Sequence, residues 1–223
     1  MASRAMEDKA TRGLPAVIIA LAAQDGSAAH GYVGGDELLR GRHATRNLAD
    51  AIHHFGYLHG RHPGIVASAL VKTPNRETQD WFEAAIDGFD QERSYLTKLV
   101  VAAGPAPSTP GQAECEAALT SQHHAMEMLS HSDRLGCAFG AAATLILDWA
   151  AIRLVLDRAA ERFGLIPPRC TLPQLEETAA AIRAIAAAPA SERALSFGAQ
   201  QLLAQHRGLW DLLESRQVAR GEY

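Results

Sequence analysis

The chain has 223 residues, enough for one domain whose core needs no disulfide or metal staple. Its hydrophobic fraction of 48% is that of a globular protein, and a formal net charge of -4 excludes nucleic acid and anionic membrane surfaces as natural partners. Three widely spaced cysteines, Cys115, Cys137 and Cys170, make no CxxC and no even framework, which points to free thiols in a reducing, cytoplasmic compartment.

Alanine and leucine dominate and no sustained alternation of period two occurs, so the expected fold is all-α. The apolar stretch 14–23 ends like a signal peptide, but Glu7 and Asp8 spoil a cationic leader; it is expected to be a short helix docked on the body. A glycine-rich loop follows through Gly34-Gly35, and helices are then expected over 44–61, 64–72 and 75–103. The loop 104–111 carries three prolines and is a firm break. Further helices are expected over 111–131, 134–163, 172–187 and 191–218. Starts are signalled by Thr73-Pro74, by capping-box spacings at Thr109–Gln112 and Thr171–Gln174, and by Ser191 after Pro189. The whole is one domain, 1–223: an N-terminal helix and loop over 1–43, then a bundle of six to eight helices over 44–218 around the apolar helix 134–163. The apolar run 137–147 is stopped by Asp148, short of the ~18 residues that cross a bilayer, so no membrane span is expected. Gly136 and Gly140, four apart, allow a neighbouring helix to come close to it.

A helix advances about 100° per residue, so polar side chains that fall on an apolar arc can be found by counting. The stretch IHHFGYLHGRHPG, 52–64, is the test case, with four histidines. Leu48, Ile52, Phe55, His59 and His62 share one arc; His53 points away and His54 sits at the margin. In 75–103, Glu92 lies among Trp81, Ala85, Phe89, Leu96 and Leu99, with Arg93 at the edge and Glu83, Asp87 and Asp90 opposite. In 111–131, His123, His124, Glu127 and His131 resemble a ligand run but fall opposite Cys115, Leu119, Met126 and Leu129, on a wet face. In 134–163 the polar stripe is Arg153, Asp157, Arg158 and Glu161, whereas Asp148 lies among Cys137, Ala141, Ile152 and Val155. In 191–218, His206 occupies the middle of an arc of Leu195, Ala199, Leu202, Leu209, Trp210 and Leu213.

Five ionisable residues therefore face inward: His59, His62, Glu92, Asp148 and His206. Buried charge is costly unless paired or coordinated, which leaves two readings. In the first, the groups form a closed network that fixes helix register, with Asp148 on Arg93 and Glu92 on a histidine, in a protein that binds a small-molecule ligand or a partner, a second copy included. In the second, the five bind a transition-metal ion (iron, manganese or zinc), as helical bundles do with inward imidazoles and carboxylates, and the protein is a metal-dependent oxidoreductase or hydrolase. No nucleophile–base pair is visible in the sequence.

The outline is similar to ferritin-like and haem-oxygenase-like bundles, some of which carry di-iron sites. No Glu-x-x-His pair occurs, Glu92 being followed by Tyr95 and Glu127 by Ser130, so no ligand carries over. The stretches LHGRHPG (58–64), GPAPSTPGQAE (104–114) and FGAQQLLAQHRGLWDLLE (197–214) resemble a small family of alphaproteobacterial proteins without an assigned activity. That resemblance implies a bacterial cytoplasmic setting.

Overall fold

The computed structural model describes residues 2–61, 64–73, 75–186 and 188–221, with side chains from residue 13 onward. Among them the α-helices are α1 (Ala2–Asp25), α2 (Asp36–Leu39), α3 (Ala44–His59), α4 (Ile65–Lys72), α5 (Gln79–Ala103), α6 (Gln112–Ser130), α7 (Cys137–Arg162), α8 (Leu175–Ile185) and α9 (Pro189–Gly221). No strand occurs among the described residues, as the missing period-two pattern requires. The expected helix 14–23 is the part of α1 beyond a kink at Gly13, where φ is +61° and Pro15 follows.

α7 is the central helix, with α1, α3, α4, α5, α6, α8 and α9 all packed on it. It is long and apolar enough to cross a bilayer, yet 83% of its most apolar window is buried by the other helices. α9 runs parallel to it. Gly136 lies against Ser191, Gly140 against Leu195 and Asp148 against His206, so residue numbers rise together on both helices. The approach is set by glycine: a methyl on Gly140 would stand 2.2 Å from the Leu195 carbonyl oxygen, and one on Gly198 2.0 Å from that of Cys137. α5 also runs parallel to α7, through Phe82 on Phe139, Phe89 on Trp149 and Tyr95 on the Leu156 carbonyl. α3 packs on α5 and α7 with Phe55 and His59 inward.

Helix starts obey different residues from those expected. Asn75, not Thr73, caps the turn before α5, its Oδ1 accepting the Glu77 N–H at 2.9 Å; Thr73 ends α4, and Pro74 lies outside the described residues. Thr109 gives its hydroxyl oxygen to Arg220, and α6 starts instead after left-handed Gly111, φ +75°. The capping box of α8 is one turn later than expected, with Glu177 accepting the Gln174 N–H at 2.6 Å. Ser191 lies within α9, which opens on Pro189, where a missing N–H costs nothing. Of the expected wet face of α6, His124, Glu127 and His131 are exposed, whereas His123 is half-buried with its ring against that of Tyr57.

Candidate functional site: a buried aspartate–histidine–histidine relay

Asp148 on α7, His206 on α9 and His59 on α3 converge, although they are 58 and 147 residues apart in pairs. Each comes from the inward arc of its helix. The Asp148 carboxylate is 3% exposed and fully subscribed. Its Oδ1 accepts the Ser27 N–H at 2.7 Å, and its Oδ2 accepts the Ser27 hydroxyl and the His206 Nδ1–H, both at 2.6 Å. The Ser27 oxygen in turn accepts from Trp210 Nε1 at 2.9 Å. Charge-assisted hydrogen bonds of this length are the strong kind. Burial pushes the Asp148 carboxyl up, but the bonds from His206 and Ser27 outweigh it and hold it below the usual carboxylate range.

Ser27 opens the 3-10 turn Ser27–Ala29 directly after Gly26. A side chain on Gly26 would stand 2.4 Å from Asp148 Oδ1 and 2.2 Å from the Ala22 carbonyl, so only glycine lets this turn lean onto the carboxylate.

On the far side of His206, Nε2 lies 2.9 Å from Nε2 of His59. Two facing nitrogens hold one proton between them. With His206 neutral the proton sits on His59 and points at His206; with His206 cationic it sits on His206 and points at His59. His59 carries no charge in either state. Burial, the His206 imidazole and Arg93 agree, holding His59 well below the usual histidine range. The rings of Phe55, Phe89 and Trp149 surround His59, with centroids 5.4 to 6.2 Å away. This is a water-poor box in which each hydrogen bond is strengthened and an orphaned one is costly.

Of the two other residues of the expected site, Glu92 stands apart. Glu92 accepts from Arg153 Nη1 at 2.5 Å and from Trp149 Nε1 at 2.9 Å, so the Trp149 ring separates it from His59. Arg153, placed by periodicity on the polar stripe, is buried because the coil after α7 folds back and offers it the Pro168 carbonyl. The expected pairs of Asp148 with Arg93 and Glu92 with a histidine are thus replaced by Asp148 with His206 and Glu92 with Arg153. Arg93 pairs with Asp90 and covers the Phe89 ring. His62 lies outside the described residues.

These observations concern a chain whose residues 22–221 match the model of a family of unknown function, DUF6975. The chain belongs to that family. No curated protein and no solved structure matches it. The matched span of this DUF6975 chain holds Ser27, His59, Asp148, His206 and Trp210, the whole relay.

A cluster of His30, Asp211 and Glu214 lies at the surface, with ligand atoms within 4.8 Å of one another. Its tautomer opposes a metal. His30 Nδ1 accepts the Tyr32 N–H, so the ring proton is on Nε2 and is donated to Asp211 at 3.0 Å. A metal there would need that lone pair. Sequence reasoning missed Ser27 and Arg153 as parts of buried networks; Ser27 sits in a turn, where no periodicity marks an inward face.

Proposed function

We propose that this DUF6975 protein binds a small amphipathic anion, of the medium-chain carboxylate class, and that the relay holds the wall of the binding cleft without reacting with the ligand. The observation that carries this is a cleft of about 560 Å³ on the outer side of α7. Its lining is apolar at Ala28, Val33, Leu39 and Val155 and basic at Arg40, which pairs with Asp36, and at Arg158, which pairs with Glu161 and donates to the Leu39 carbonyl. That size and that mixture of apolar lining with few charges are those of small-molecule sites. Leu154 at the cleft is 72% exposed, an apolar side chain left in water that a ligand would cover. Ala28 belongs to the same turn as Ser27, which Asp148 holds by two bonds, so the relay and the cleft share a wall. A cytoplasmic setting belongs to this reading and is supported by the buried free thiols of Cys115 and Cys137. Calorimetric titration with decanoate and decylamine tests it. Decanoate is expected to bind at least about tenfold more tightly than the amine, and Leu154→Asp, at an exposed position, is expected to cost at least about tenfold. Equal affinity for both chains, or an indifferent variant, would sink the reading.

A second reading has one observation in its favour. The Nε2 atoms of His59 and His206 face each other, and Asp148 holds Nδ1 of His206 as a carboxylate behind a metal-bound imidazole does. In this reading a transition-metal ion takes the place of the shared proton, and the protein is a metal-dependent oxidoreductase or hydrolase. Elemental mass spectrometry on untagged protein, beside His206→Ala, separates the two. The first reading expects no near-stoichiometric metal. Near-stoichiometric iron, manganese or zinc that disappears in the variant establishes the second.

A further inference from the structure

A second buried cluster lies along the middle of α3 and uses none of the relay residues. Asp50 and His54 stand one turn apart on α3, Cys115 is in the first turn of α6, and Arg216 and Arg220 come from the end of α9. The hydrogen bonds fix the tautomer. His54 Nδ1 lies 2.7 Å from the Asp50 main-chain carbonyl, which can only accept, so the ring proton is on Nδ1. Nε2 therefore carries a lone pair, and the Cys115 sulfur stands 3.2 Å from it. The thiol proton points at the base. Burial keeps His54 below its ordinary value and raises the Cys115 thiol, so the pair rests as neutral thiol and neutral imidazole.

The surroundings are set for the charged form. Asp50 Oδ1, on a residue 1% exposed, makes no hydrogen bond among the described residues and lies 3.5 Å from His54 Nδ1, where it would meet an imidazolium. Asp50 Oδ2 is held by Arg216 Nε at 2.8 Å and Arg220 Nη1 at 2.6 Å. The Arg216 guanidinium also favours the thiolate of Cys115. This is a nucleophile, a base aimed at its proton, a carboxylate behind the base and a cation beside the sulfur. Cys115 is 3% exposed, which leaves room only for a small uncharged reactant.

We infer that Cys115 is a peroxide-reactive thiol, with His54 as its general base and Arg216 as the cation that stabilises the sulfur anion. His54 Nε2 takes the thiol proton, and the thiolate attacks one oxygen of hydrogen peroxide. The O–O bond breaks, the leaving hydroxide takes the proton from His54, and water departs. Cys115 is oxidised by two electrons to the sulfenic acid and the peroxide is reduced to water.

The test is site-resolved mass spectrometry of Cys170→Ser protein that is exposed in its folded state to excess hydrogen peroxide, freed of peroxide with catalase and then unfolded in dimedone. The substitution removes the exposed cysteine, and Cys137, fully buried, serves as the internal control. Cys115 is expected to gain the dimedone adduct at least about tenfold faster than Cys137, and His54→Gln in the same background to slow it at least about tenfold. Equal labelling of Cys115 and Cys137 overturns the inference. So does a folded His54→Gln protein that labels at the parent rate. Should His54→Gln fail to fold by circular dichroism, the ratio of Cys115 to Cys137 in the parent decides alone.

Discussion

Asp148→Ala will destabilise the protein by about 3–5 kcal/mol, the usual cost of stripping one partner from a buried charged network. The substitution leaves three donors facing a gap: the Ser27 N–H, the Ser27 hydroxyl and the His206 Nδ1–H. None can turn to water, because Ser27 and His206 are 1% and 0% exposed. For a chain of this size the loss reads as a drop in Tm on the order of 10 °C. Asp148→Asn keeps the shape but brings two amide protons toward groups that already donate, so it will fall between the wild type and alanine. Asp211→Ala, which removes the exposed partner of His30, is the control and will cost no more than about 1 kcal/mol. Urea unfolding of the three variants measures all of this; a loss below about 1 kcal/mol at Asp148 would mean that the relay is dispensable to the fold. The same experiment bears on the ligand, because Asp148→Ala frees the Ser27–Ala29 turn that walls the cleft. Decanoate affinity will therefore fall with stability, although Asp148 lines no part of that cleft.

The inward arcs were readable because each is a property of one helix. Asp148, His206 and His59 were placed inward by spacing alone, and all three are buried. Their pairing was not readable, because it depends on the rotation of one helix against another. Asp148 was assigned to Arg93 by charge, yet the parallel seating of α9 on α7 through Gly140 and Gly198 brings His206 to it first. Arg153 shows a different limit. Its helical stripe leaves the apolar face of α7, but Glu92 and Tyr95 of α5 lie against it and the coil after Gly164 closes over it. A helical wheel contains no information on what a later coil will cover. His54, at the margin of the α3 arc, is buried because α6 packs against that margin and sets Cys115 on it. Marginal positions are where a third helix decides. The caps failed more locally: Thr109 has the right side chain for an N-cap, but Arg220 occupies its oxygen.

Lowering the pH from 7 toward 5 will reduce the unfolding free energy with a slope of up to about 2.7 kcal/mol per pH unit, two histidines at about 1.36 each. The sign follows from which state takes up protons. Burial lowers His59 and His54 in the folded protein, whereas both titrate near 6.5 once unfolded. Below 6.5 the unfolded chain therefore binds protons that the folded chain refuses, and stability falls as pH falls. Asp148 has the same sign in a lower window. Its folded value is depressed, so its contribution is complete above about 3.9 and is lost only as pH falls through the folded value. The loss between pH 6.5 and 5 thus belongs to the imidazoles. Urea titrations at half-unit steps, on the wild type, His59→Gln and His54→Gln, resolve it. Each variant is expected to remove about half of the slope. A variant that leaves the slope unchanged would identify the histidine that keeps its proton when folded. At His59 that result would mean an imidazolium that donates its Nε2–H to a neutral His206 and keeps its second proton on Nδ1 inside the aromatic box, against the burial that holds His59 low. At His54 it would mean an imidazolium beside Asp50 at rest, with Cys115 already deprived of the neutral base that its chemistry requires.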